Sequence, residues 1–92
     1  MTKQLFDLGR VVSTPGALDA FKEADQEMGE FLIRHVTGDW GELDDHDIAE
    51  NELSVREGYR ILSAYKLNTD VKFWIITEAD RSATTFLLPE EY

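Results

Sequence analysis

The sequence predicts an α+β domain in which an N-terminal strand and two to three helices pack on a C-terminal three-stranded antiparallel β-meander. Three observations predict it. Residues 59–88 gather β-branched and aromatic residues into three runs separated by two polar turns. Residues 14–37 carry apolar side chains at helical spacing between recognisable helix starts and stops. The chain has 92 residues, 42% hydrophobic and 30% charged, the proportions of one folded domain spanning 1–92.

Leu5 to Ser13 (LFDLGRVVS) reads as the first strand, because Val11 and Val12 favour extended backbone. Gly9 within it marks a bulge or a close backbone approach. Thr14-Pro15 starts a helix, with a hydroxyl to cap it and proline where its missing N–H costs nothing. That helix runs to about Ala24, with Ala17, Leu18, Phe21 and Ala24 as its apolar stripe. Asp25 fits as the N-cap of a second helix, about Gln26 to Thr37, whose inner face is Met28, Phe31, Leu32 and Val36 with His35 adjoining. Gly38 suits the left-handed position that ends it. Asp44 or Asp45 caps a third helix that runs to Glu57 and stops at Gly58. Asn51 and Glu52 interrupt its apolar pattern, so it is expected on the surface with a narrow contact. The meander follows as strands 59–67, 71–78 and 83–88, and Pro89 ends it. Both faces of the central strand are apolar: Val71, Phe73 and Ile75 on one, Trp74 and Ile76 on the other. Helices cover one face. The other calls for the third helix, the N-terminal strand, or a partner, including a second copy of the chain.

Composition narrows the chemistry. There is no cysteine, which excludes disulfides, thiolate metal sites and thiol catalysis. There is no secretory apolar run and no segment approaching the ~18 apolar residues of a membrane span, so a cytoplasmic protein is expected. No phosphate-cradling glycine loop or dinucleotide fingerprint occurs, and no cofactor is implied. The formal net charge is −10, which disfavours nucleic acid and anionic membranes as direct partners. The excess is local: residues 39–58 hold eight acids and one base, against six and four in 1–38 and five and four in 59–92.

That acidic segment is the first functional candidate. Carboxylates three or four apart on a helix stand about 5–6 Å from one another, close to phosphate spacing along a nucleic-acid strand. Asp44, Asp45, Asp47 and Glu50, with Trp40 in the preceding loop as an aromatic anchor, are the candidate residues for binding a protein partner. A basic nucleic-acid-handling protein fits that charge. The same residues also suit a solvated helix whose first-turn acids complement its dipole, with Trp40 plugging the end of the core. The glycine-bearing spacing of a calcium loop is missing, and no metal site is expected. His35, beside the apolar face of the second helix, reads as a satisfied, half-buried histidine, and His46 lies in the acidic start of the third helix.

The second candidate is the turn at 77–85, where Asp80, Arg81 and Thr84 bring acid, base and hydroxyl to a hairpin tip. General acid–base cleavage of RNA uses such groups. A turn stabilised by local side-chain hydrogen bonds accounts for the same residues.

The run LGRVVSTPGAL, the loop GDWGELDDHD and the ending SAY…WIITEADRSATTFLLPEEY resemble a family of small bacterial proteins carried on plasmids and integrated mobile elements. Some of these plasmid-related proteins are labelled as associated with type I restriction–modification. The resemblance covers nearly the whole chain and implies a genetic neighbourhood; it brings no catalytic residues. The order of helices followed by a meander also resembles RelE and barnase-like ribonucleases, although RelE-type toxins are usually basic. The leading expectation is a non-enzymatic accessory protein, monomeric or dimeric, that binds a protein partner through its acidic helix, with anti-restriction or defence modulation as the concrete form. A small ribonuclease using the 77–85 hairpin and a structural homodimer are the alternatives.

Overall fold

The computed structural model describes residues 3–92. In chain order the elements are β1 (Arg10–Ser13), α1 (Pro15–Ala24), α2 (Met28–Val36), α3 (Asp45–Glu57), β2 (Ile61–Lys66), β3 (Lys72–Thr77), β4 (Ala83–Leu87) and a single 3₁₀ turn at Pro89–Glu91. The α+β class and the antiparallel β2–β3–β4 meander are present. The sheet, however, has four strands, not three, in the order β1-β4-β3-β2. β1 joins it parallel to β4, with Arg10 opposite Ala83 and Ser13 opposite Phe86. The hydrogen-bonding edge of β4 that faces away from β3 thereby gains a partner, through Arg10 N–H to Ser82 C=O and Thr14 N–H to Phe86 C=O at 3.0 Å each.

β1 is shorter than the expected 5–13 strand. Gly9 has φ +63°, and a Cβ there would collide with the backbone of Arg81 and Ser82, so the chain crosses the β3–β4 turn at its one side-chain-free position. Asp25 also takes a different role. It is the left-handed C-cap of α1 (φ 54°), not the N-cap of α2, and Gln26 N–H closes the turn onto Phe21 C=O. Aspartate tolerates that conformation because its short polar side chain is compatible with it. Thr14, Gly38, Asp44 and Gly58 stand as expected: Thr14 Oγ1 accepts from Ala17 N–H, Asp44 Oδ1 from Asp47 N–H, and both glycines have positive φ.

α1 and α2 cover one face of the sheet. Ala17, Phe21 and Ala24 meet Phe31, Tyr65, Phe73, Ile75 and Phe86 in the main core. The Phe21 ring stands edge-on to Phe31, Phe73 and Phe86, an arrangement that favours aromatic quadrupoles. A second cluster, Phe6, Val36, Trp40 and Ile61 with Leu8, Leu43, Ile48 and Val55 against it, closes the end beside α3.

α3 lies beside β2 and completes its outer edge. Asn51 Nδ2 donates to Leu62 C=O at 2.7 Å and its Oδ1 accepts from Leu62 N–H at 3.2 Å, as a neighbouring strand would. The backbone of 40–42 does the same one step on: Ala64 N–H to Trp40 C=O at 3.1 Å and Glu42 N–H to Ala64 C=O at 2.6 Å. Gly41 makes that approach possible, with φ +78° and no room for a Cβ against Ala64 C=O and the Tyr65 ring. Gly41→Ala is expected to cost at least about 2 kcal/mol in urea unfolding, from left-handed strain plus the displaced bridge. No helix among the described residues is long and apolar enough to cross a membrane.

Candidate functional site

The outer face of the sheet is only partly covered. Leu62, Ala64 and Trp74 alternate outward from β2 and β3 and remain half-buried. With α3 alongside, they form the floor of a cleft of about 730 Å³. Asp47, Glu50, Asn51 and Ser54 line its α3 wall, one helical face at spacing i, i+3, i+4, i+7. Glu42 and Leu43 close the end near Ala64, and Tyr59 and Arg60 the end near Leu62. The cleft is thus apolar below and acidic along one side.

Its boundary beyond Trp74 is set by residues 88–92. The Glu91 carboxylate accepts from Thr14 Oγ1 at 2.6 Å, Gly16 N–H at 3.2 Å and Leu88 N–H at 2.8 Å, which pins this segment to the start of α1. The Thr14 hydrogen bond lowers the Glu91 pKa. Tyr92 then meets Trp74 edge-on, with centroids 5.7 Å apart. Among the described residues Arg60 is the one basic side chain lining the cleft, and it is already engaged: Nη1 donates to Tyr92 Oη at 2.9 Å and Nη2 to Glu78 Oε1 at 3.1 Å. Among the described residues Glu42 and Asp47 enter no ion pair, and Glu50 only approaches His46, at 3.9 Å on the surface.

The partner-binding candidates separate accordingly. Asp47 and Glu50 line the cleft. Asp44 spends its carboxylate on the helix cap, and Asp45 is exposed on the first turn outside the cleft lining. Trp40 is 4% exposed. It packs on Phe6 and His35, and its indole N–H donates to Glu52 at 3.2 Å, so the ring fills the end of the core and presents no surface for docking. The aromatics that reach the cleft beside the acids are Trp74, in its floor, and Tyr59, exposed at one end. The signal for Trp74 in the sequence is the second apolar face of the central strand.

Asp80, Arg81 and Thr84 are not brought together. Asp80 faces solvent and accepts from Ser82 N–H at 2.9 Å; its hydrogen bonds with Ser82 lower its pKa. Arg81, with φ +62°, donates to the carbonyls of Ser54, Tyr59, Glu78 and Ala79 and lies 5.5 Å over the Phe6 ring. It therefore clamps the C-terminal turn of α3 to the hairpin, where a cation is favoured by the helix dipole. Thr84 is fully buried on the opposite face of the sheet. None of the three lines the cleft.

Thr84 belongs to a buried polar chain. Thr84 Oγ1–H donates to Leu8 C=O at 2.7 Å, a carbonyl that can only accept. Its single proton is then committed, so the 2.8 Å contact with Thr77 requires Thr77 to donate. Thr77 in turn accepts from His35 Nε2–H at 2.9 Å, and His35 Nδ1 accepts from Ser63 Oγ–H at 2.5 Å. His35 is thereby a neutral Nε2–H tautomer, and burial pushes its pKa down to about 3. The chain ties α2, β2, β3, β4 and the segment before β1 together, and His35, Ser63, Thr77 and Thr84 are all fully buried, so its role is structural.

Among the described residues no group of three or more histidine, aspartate or glutamate side chains is arranged to hold a metal ion. No protein-family model, curated protein or solved structure matches the chain.

Proposed function

We propose that the protein is a small accessory protein that acts by binding another protein, with the acidic wall of the α3 cleft selecting a basic surface on the partner. One observation carries this reading. Asp47 and Glu50 flank an uncovered apolar floor that includes Trp74, whereas a purely solvated helix needs no such floor beside it. The resemblance to plasmid-borne proteins supplies the context: a nucleic-acid-handling enzyme of a defence system, whose basic groove this acidic ridge would occupy. That is the anti-restriction form of the proposal. The ribonuclease alternative loses its proposed constellation, because Arg81 and Thr84 are committed to separate structural networks.

The test is a binding screen against purified basic DNA- and RNA-handling enzymes. A complex is expected that weakens steeply with salt. Reversing Asp45, Asp47 and Glu50 to lysine, with Asp44 kept as the helix cap, should weaken it by at least about tenfold. No complex with any member, or a complex indifferent to the triple reversal, overturns the proposal.

A further inference from the structure

We infer that the cleft seats a lysine or arginine side chain from an extended segment of the partner, its aliphatic stem on Leu62 and Trp74 and its charged head among Glu42, Asp47 and Glu50. The inference rests on the binding reading above and specifies what is bound.

The mode of binding follows from how β2 is finished. A peptide commonly docks on a sheet by adding a strand to a free edge. Here Leu62 is already paired by Asn51 and Ala64 by the backbone of 40–42, so two successive outward positions of β2 have no main-chain groups to offer. A ligand on this side must therefore bind through side chains across the outer face. The lining selects the kind of side chain. An apolar stem and a cationic head match a floor of Leu62, Ala64 and Trp74 beneath carboxylates, since long basic side chains bury their methylenes while keeping the charge in polar surroundings. An indole face adds cation–π attraction. An acidic ligand would face three carboxylates. The intrinsic cation, Arg60, is not free to fill the seat, because Glu78 and the Tyr92 hydroxyl hold it at the far end.

The experiment is an amide and indole NMR titration of the full chain with four blocked pentapeptides that differ only at a central lysine, arginine, norleucine or glutamate. The lysine and arginine peptides should shift the Trp74 indole and the Leu62 and Ala64 amides saturably. Norleucine, which keeps the stem and removes the charge, should bind at least about tenfold more weakly. Trp74→Ala should weaken the basic peptides by a similar factor. Should that variant unfold, the pair Glu42→Gln with Asp47→Asn leaves the floor intact and is expected to do the same. Equal binding of norleucine, shifts confined to the exposed Asp44–Asp45 turn, or no saturable shift with either basic peptide overturns the inference. A partner complex that is lost on the triple charge reversal yet survives Trp74→Ala would reject this seat while leaving the acidic-surface reading standing.

Discussion

Lowering the pH from 7 to 5 is expected to remove about 2 kcal/mol of stability from the wild-type protein that the His35→Gln variant does not lose. His35 titrates near 6.5 in an unfolded chain and near 3 in the folded one. Between those values the unfolded state takes up a proton that the native state refuses, so stability falls as pH falls through this window, by about 1.4 kcal/mol per unit, and is flat above it. The cause is burial: the ring is enclosed by Phe6 and Trp40, and among the described residues its nitrogens meet the uncharged hydroxyls of Ser63 and Thr77. The nineteen aspartate and glutamate side chains are common to both proteins, so their contribution largely cancels in the difference. Urea unfolding of both proteins over pH 4.5–8 measures it. Parallel pH profiles would show that His35 carries no such linkage. Independently, nitrogen-15 shifts of the imidazole should identify the Nε2–H tautomer that the chain of hydroxyls dictates.

Asn51→Leu is expected to destabilise the protein by about 2–4 kcal/mol, although it replaces a polar residue in a buried position with an apolar one of similar size. Asn51 supplies both a donor and an acceptor to Leu62, and leucine would leave that part-buried N–H and C=O without their protein partners. Asn51→Asp should fail in a more specific way. It keeps the acceptor for Leu62 N–H but sets a negative charge against Leu62 C=O, so its deficit should shrink as acid protonates the new carboxyl and restores a donor. Hydrogen exchange at the Leu62 amide is the direct readout. Unchanged protection in Asn51→Leu would mean that α3 is held by its apolar contacts alone. Since Asn51 also lines the cleft, loosening it should reduce partner binding together with stability.

Asn51 also illustrates where sequence reasoning stops. In the sequence it is a polar residue that breaks the apolar stripe of a weakly amphipathic helix, and the break correctly suggests a narrow contact. What it does is set by Leu62, which approaches only once α3 and β2 lie side by side. Asp25 fails differently: aspartate serves equally as an N-cap and as a left-handed C-cap, and the closure of Gln26 N–H onto Phe21 C=O chooses between them. Trp40 and Trp74 are alike as residue types. One has its indole N–H satisfied by Glu52 inside the second core cluster, the other looks out beside an acidic wall, and sequence position does not separate them. The 77–85 cluster places acid, base and hydroxyl close in sequence, but alternation along the strand and the turn at Arg81 send them to different places: Asp80 to solvent, Arg81 to α3 and Thr84 to the buried face.

The sequence by itself determined the local structure of this protein: the Thr14-Pro15 and Asp44 helix starts, the glycine stops at 38 and 58, the alternating strands and the concentration of acids on α3. These follow from interactions within a few residues, whose strength does not depend on the rest of the chain. The tertiary structure alone decided that β1 runs parallel to β4, that His35 is locked neutral in a hydroxyl chain, and that Asp47 and Glu50 line one cleft with Trp74. Each of these depends on partners that are far apart in the chain, and such contacts form only when the hydrophobic faces of separate elements are buried against one another.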